Sequence, residues 1–269
     1  AGELQPRDRI GRNDHRAQPK WDGEFTVDEG YLLGLLVGDG TLKADKAVLS
    51  VWRPAAAVNA TETAGVDGVM GEALRAARTL PHRADFTGWQ AVSGRNEYRL
   101  SLAALKALAA RVGMRPGQKV LTPAVERGSS AFCRGFLRGF FDADGSVEGN
   151  QQKGLSVRLA QSDLPRLLTV QRMLLRLGVV SVVYRDRRIA AVRSLPDGKG
   201  GKADYPTKPN HELIISGENL LQFQDRVGFA DHDKASRLNV AVASYKRAIN
   251  RERFVARVAT ITEDGVEDV

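Results

Sequence analysis

Twice in this chain an apolar stretch of helical spacing runs into an acidic residue held between small ones: YLLGLLVGDGTL from Tyr31 to Leu42, and FLRGFFDADGSV from Phe136 to Val147. With Asp39 set on Asp144 the copies lie 105 residues apart, and Gly30 meets Gly135, Gly34 meets Gly139, Gly38 meets Ala143 and Gly40 meets Gly145. A small residue at every fourth position leaves a flat stripe along a helix, so two such helices can approach backbone to backbone. A second pair of segments aligns without gaps at an offset of 115: EYRLSLAALKALAARVGMRPGQK (Glu97 to Lys119) and ELIISGENLLQFQDRVGFADHDK (Glu212 to Lys234). Their glutamates, an Arg-Val-Gly triplet and the terminal lysines coincide. An internal duplication of this kind predicts two half-domains about a pseudo-two-fold axis, with the change of offset absorbed in loops.

Each half reads as helix, two strands, helix, two strands, helix. Thr26 with Glu29 three residues later is a capping-box start, and the first motif helix runs to about Gly38. Strand patterns follow at Ala47 to Arg53, at Phe86 to Val92 and from Glu97, with a helical pattern over Val66 to Leu80. The second half repeats the order at Leu155 to Gln161, Leu164 to Val179, Val180 to Ile189 and His211 to Ser216. The expected class is α+β, two pseudo-symmetric αββαββα halves whose sheets are covered by helices. A stretch rich in Gly, Pro and Lys between Ala191 and Asn210 reads as a long mobile hairpin loop. The expected division is an N-terminal arm over 1–24, halves over 25–128 and 129–240, and a C-terminal basic helix and strand over 241–269.

The 269 residues, 42% of them hydrophobic, suffice for a real core, and a net charge of +8 favours a polyanionic partner such as nucleic acid or an acidic membrane surface. Cys133 is the only cysteine, which excludes an internal disulfide and a Cys-rich zinc site and makes a reducing, intracellular setting the expectation. No apolar run approaches the roughly 18 residues that cross a bilayer, and the polar N-terminus carries no secretion signal. His15, His82, His211 and His232 have no metal-ligand spacing.

If the motif helices pack on each other, Asp39 and Asp144 meet at their C-terminal ends. Helix C-termini carry partial negative charge and paired carboxylates repel, so the arrangement calls for a counter-charge. A divalent cation supplies it: two carboxylates with peptide carbonyls, those of Gly38 and Ala143, make an oxygen-only set suited to Mg²⁺, which shares its coordination sphere with phosphate. In a basic protein this points to metal-assisted phosphodiester hydrolysis. Lys119 and Lys234, aligned by the repeat, would face the same cleft and stabilise charge on phosphate, against a plain reading as solvated loop lysines. Gln161, at the end of a strand, would hold the attacking water; its counterpart in the first half lies near Trp52 or Arg53. Candidate DNA contacts are Arg53, Arg95, Arg99 and Arg158, the YRDRRI residues Arg185, Arg187 and Arg188, and Lys199 and Lys202 in the hairpin; solvated strand faces would look the same. SYKRAINRERFVARV reads as an amphipathic basic helix.

LLGLLVGDG and LRGFFDADG resemble the two motifs of the LAGLIDADG homing endonucleases in their single-chain form, a likeness covering roughly residues 25 to 240. The resemblance implies antiparallel, saddle-shaped sheets on duplex DNA, a monomer, and cleavage of both strands at a long site with short 3′ overhangs. It implies metal binding by Asp39 and Asp144 and roles for Lys119 and Lys234. The cofactor would be Mg²⁺, with Mn²⁺ able to substitute and Ca²⁺ supporting binding without cleavage. Val37 stands where an acidic residue is usual, as Asp142 is in the second copy, and Arg138 replaces a small one. AGELQPRDRI and ARVATITEDGVEDV resemble segments flanking the endonuclease of an intein, with Arg7 where a glycine is usual, whereas the intein's nucleophile and closing His-Asn pair are missing. The alternatives are a decayed DNA-binding module and an RNA maturase on the same scaffold.

Overall fold

The computed structural model describes residues 4–53, 64–150, 154–196, 201–246 and 249–261. A short strand, β1 (Arg9–Gly11), precedes the first half, which runs α1 (Val27–Gly38), β2 (Gly40–Leu42), β3 (Ala47–Trp52), α2 (Ala64–Thr79), β4 (Gln90–Ala91), β5 (Glu97–Ser101) and α3 (Ala103–Arg111). One turn of helix, α4 (Pro123–Glu126), leads to the second half: α5 (Ser130–Asp144), β6 (Gly145–Asn150), β7 (Gly154–Gln161), α6 (Leu164–Arg176), β8 (Val182–Arg188), the hairpin β9 (Ala191–Pro196) and β10 (Lys202–Thr207), β11 (Asn210–Ser216) and α7 (Asn219–Arg226). α8 (His232–Ala243) and β12 (Val255–Arg257) close the chain.

The two four-stranded sheets are antiparallel and have equivalent orders, β2-β3-β5-β4 and β6-β7-β11-β8. This is the αββαββα duplication that the repeats predict. Alternation along the strands separates two faces. Leu49 and Leu100 in one sheet, and Val157, Leu159, Leu213 and Ile215 in the other, are buried toward the helices. Thr41, Ser50, Glu97 and Arg99, and in the second sheet Arg158, Glu212 and Ile214, take the opposite face, as the registers require.

The helix starts are set locally. Thr26 and Glu29 form the reciprocal capping box of α1, and Ser129 accepts from the Phe132 amide at the start of α5. The first and second motif helices then meet through their glycines. A Cβ on Gly34 would stand 2.1 Å from the Phe136 carbonyl oxygen, and one on Gly139 would stand 2.2 Å from that of Tyr31. Only glycine permits that approach.

Two expectations are corrected. The stretch from Ala191 to Asn210 contains a paired ladder, Ala191↔Thr207 to Pro196↔Lys202, so it is a β-hairpin inserted between two sheet strands and not simply a loop. The basic segment after Ser244 forms no helix among its described residues. Its backbone groups bond elsewhere, Asn250 accepting from the Glu218 amide at 3.0 Å and Phe254 from the Arg12 amide at 2.6 Å. The segment instead ties the C-terminal strand to the second half. β12 pairs antiparallel with β1, so the two stretches with intein-like sequence lie side by side. Arg7, at the position where the resembled stretch carries a glycine, has φ of 79°, which is a backbone state that favours glycine.

Candidate functional site

Asp39 is the C-cap of α1 and Asp144 the last residue of α5, so the glycine seam delivers both carboxylates to one end of the helix pair. A Cβ on Gly38 would lie 2.3 Å from Ala143 Cβ and 3.5 Å from Asp144 Oδ2, which fixes how tightly the two ends meet. Asp144 is half-buried, and Asp39 is exposed and lines a cleft of about 740 Å³ on the open face of the first sheet. Desolvation beside the packed helix ends, with the Asp144 charge, raises the Asp39 pKa against the pull of Lys234 and Lys119. Desolvation also raises that of Asp144, opposed by Gln161, Arg166 and the two lysines.

The lysines occupy equivalent places. Lys119 Nζ donates to the carbonyls of Leu36 at 2.8 Å and Gly40 at 2.6 Å; Lys234 Nζ donates to those of Phe141 and Asp142. Leu36 and Phe141 are counterparts in the two motif copies. Each lysine therefore covers the end of its own half's motif helix, where backbone carbonyls lack partners and the dipole is negative. Burial lowers both lysine pKa values, and Asp39 and Asp144 pull both back up.

Gln161 Nε2 donates to Asp144 Oδ2 at 2.7 Å, while its Oε1 accepts from Arg166 at 3.1 Å. Both ends of the amide are engaged, so Gln161 orients the carboxylate before it can orient a water. Arg166 also donates to the Lys119 carbonyl at 3.2 Å, which joins the second half's α6 to the first half's lysine loop. The repeats did not single out Arg166. Its signal was local: a polar i+5 step from Gln161 into the first turn of a helix capped by Asp163. By register, Gly145↔Leu159 matches Gly40↔Leu49, and the counterpart of Gln161 is Val51, not Trp52 or Arg53.

The carboxylate pair fits a divalent ion of the Mg²⁺ type. Such an ion takes one or two protein carboxylates and completes its shell with water and phosphate. Among the described residues no group of three or more His, Cys, Asp or Glu side chains forms a closed cage.

The candidate contacts for nucleic acid divide by position. Arg99 lies on the open face of the first sheet and binds Glu97 at 2.6 Å, with Arg95 3.7 Å from the same carboxylate. Arg158 and Arg187 hold Glu212 at 3.3 Å each, so the repeated glutamates play the same part in both halves. Arg53 pairs with Asp67 and stacks 5.2 Å from the centre of the Tyr98 ring. On β8 the register slips between Asn210 and Glu212, and Asp186 takes φ of 49°. This bulge brings Arg187 to Glu212 and leaves Arg185 and Arg188 exposed. Lys202 is exposed on the hairpin, and Lys199 lies outside the described residues. Arg138 donates to the Val227 carbonyl at 2.7 Å and so packs the back of α5 against the end of α7.

Known proteins carry related segments. Over 250 residues, 90% of this chain, the sequence is 26% identical to the ribonucleoside-diphosphate reductase NrdEB subunit alpha of Bacillus subtilis (strain 168), covering 23% of that protein. Over 114 residues it is 32% identical to a probable translation initiation factor of Thermococcus kodakarensis, covering 42% of this chain and 8% of the factor. The chain thus spans less than a quarter of the length of either relative. Among solved structures, it is similar to the homing endonuclease I-DmoI in complex with DNA and Ca, with a TM-score of 0.45, 16% identity, and coverage of 80% of this chain and 97% of that one. It is also similar to full-length DUF199/WhiA from Thermatoga maritima, with a TM-score of 0.46, 13% identity, and coverage of 89% and 68%. A family model described as a LAGLIDADG-like domain matches residues 131–228, the stretch from the second motif helix through α7.

Proposed function

We propose that the chain is a homing endonuclease that cuts both strands of duplex DNA at a long, specific site and acts as a single chain, with its two motif halves over 25–128 and 129–240. The observation that carries this reading is the carboxylate pair at the adjoined helix ends, with one lysine covering each end. Asp39 and Asp144, with the peptide carbonyls of Gly38 and Ala143, would hold a Mg²⁺-type ion, which supplies an activated water and charge stabilisation at phosphate. The chain's own residues do the rest. Gln161, itself held by Arg166, fixes the Asp144 carboxylate. Lys119 and Lys234 place positive charge beside the pair, where charge develops on a scissile phosphate. Arginines on the open sheet faces meet the backbone and grooves of the duplex.

Mobility of an intein coding sequence is the biological role we infer. It is supported by the resemblance at both ends and by the relatives themselves. A reductase subunit and a translation factor have no activity in common, yet both contain a segment like this one as a small part of their length. An inserted element accounts for that pattern.

The test is to incubate the chain with a library of randomised and host-gene duplexes in Mg²⁺, and separately in Ca²⁺, and to sequence the ends. Discrete Mg²⁺-dependent breaks in both strands with short 3′ overhangs support the reading. Selective retention of one duplex without breaks would overturn the nuclease and leave a DNA-binding module.

A further inference from the structure

The two lysines share a position but not a support. Lys234 sits in the first turn of α8, directly after Ala230 and Asp231. The buried Asp142 carboxylate accepts from the Ala230 amide at 3.0 Å, from the Asp231 amide at 3.0 Å and from the Tyr31 hydroxyl at 2.9 Å. Asp231 in turn caps α8, accepting from the Lys234 amide at 2.9 Å. A relay of hydrogen bonds therefore runs from Tyr31, in the first half, through Asp142 to the backbone that carries Lys234.

Across the pseudo-two-fold axis the three equivalent positions are all changed. Val37 replaces Asp142, Phe136 replaces Tyr31, and Pro116 replaces Asp231. Proline has no amide hydrogen, and the Arg115 amide is already donated to the Gln118 carbonyl at 3.1 Å. Gln118 returns a bond to the Arg115 carbonyl at 2.8 Å, and the Gly117 amide donates to the Leu42 carbonyl at 3.1 Å, so these amides of the Lys119 turn are already taken. The loop that offers no free amide at 115 or 116 has no carboxylate beneath it, as the cost of an unpaired buried acid requires.

Resting on the nuclease reading, we infer that Tyr31 and Asp142 are positioning residues for Lys234 alone, so that the two catalytic centres have different supports: Lys234 rests on a buried carboxylate relay, whereas Lys119 rests on its own turn and on Arg166. The pseudo-two-fold axis of the protein matches that of a duplex, which assigns each lysine to one strand. Weakening the relay slows one strand and spares the other.

The experiment uses Tyr31→Phe and Tyr31→Phe/Asp142→Val in the full chain. The first readout is lysine acetylation by mass spectrometry on the metal-free protein: labelling of Lys234 rises severalfold while Lys119 stays as in wild type. The second is strand-resolved cleavage of end-labelled target, in which one strand's rate falls by about tenfold or more and nicked duplex accumulates, as losses of supporting residues do elsewhere. Equal labelling changes at both lysines, or none, would overturn the relay, because a general loosening of the fold does not choose between them. Equal slowing of both strands would overturn the assignment of lysines to strands. If wild type cuts nothing, the nuclease reading falls and the labelling pattern still decides the anchoring.

Discussion

The two halves are most alike where they touch and least alike where each faces its own surroundings. Along the seam, Gly30, Gly34, Gly135 and Gly139 leave no room for a methyl group, and the carboxylates and lysines that follow are matched one to one. Away from it the sheet orders and the paired glutamates still match, but the supports and connections differ. The second half fixes its carboxylate with Gln161 and Arg166, where the first has Val51. The second half carries an inserted hairpin between β8 and β11, whereas β4 and β5 of the first are joined by a short turn. The first half has the longer connection between α2 and β4, and part of it lines the cleft beside Asp39. Duplicated chains keep what both copies must share in one place and let the rest diverge.

The largest effect expected is therefore at the shared pair. Asp39→Asn or Asp144→Asn, each alone, abolishes cleavage of both strands, while specific binding in Ca²⁺ stays within severalfold, read by gel cleavage and mobility shift. A single variant that still cut one strand normally would show the centres to be independent and break the comparison. Stability moves the other way. Both carboxylates have raised pKa values, so the folded metal-free protein holds their protons more tightly than the unfolded chain and loses stability as pH rises through the folded values. Either Asn variant then melts higher than wild type at neutral pH without metal, and the difference shrinks when Mg²⁺ is added.

The seam comes next. Gly34→Ala or Gly139→Ala pushes a methyl group into a backbone carbonyl and should cost about 1–3 kcal/mol or more in urea unfolding. Gly71, in α2 with nothing within 4 Å of a built Cβ, is the internal control, and Gly71→Ala should stabilise by up to about 1 kcal/mol. A neutral Gly34→Ala would mean that the helices are not locked by their glycines.

Much of this was legible in the sequence because it is periodic. The four-residue spacing of small side chains and the offsets of 105 and 115 fix the halves, the seam and the matched Asp and Lys pairs, since these depend on local helix geometry and on repetition. Arg166 was not legible, because its role comes from reaching a lysine carbonyl that is 47 residues away along the chain. Nor was the bonding of the segment after Ser244. Its residues have helical spacing, but bonds to Glu218 and Arg12 outweigh that weak local preference. The roles of Val37 and Pro116 appear only when the amides of the two lysine loops are set side by side.

Cleavage with Gln161 changed gives a middle-sized effect. Gln161→Ala frees one Asp144 oxygen and leaves Arg166 without its amide partner, which should slow cleavage by about 10–100-fold with little change in binding. Val51→Ala in the first half, at the same register, removes only a partly buried methyl pair and should leave the rate near wild type. Equal losses would show that the second half is not the more elaborately supported one.

The smallest effects are expected on the open faces, and they sort by how each arginine is already neutralised. Arg99 shares the Glu97 carboxylate and Arg158 shares that of Glu212, so removing either arginine also releases an acid that repels phosphate. Arg185, within the bulge on β8, and Arg188, past it, are exposed, with no ion pair among the described residues. A free cation that meets phosphate displaces a condensed counterion, and its loss should lower the slope of log affinity against log salt by about one. Arg188→Ala is predicted to show that change. Arg99→Ala should weaken binding at low salt by more than its slope change suggests, since the unpaired Glu97 adds repulsion that salt then screens. Glu97→Gln in the same series separates the two contributions: with Arg99 kept and its partner uncharged, affinity should rise and the slope steepen. If Arg99 and Arg188 behave alike in all three measurements, the repeated glutamates do not govern how the two sheets meet DNA.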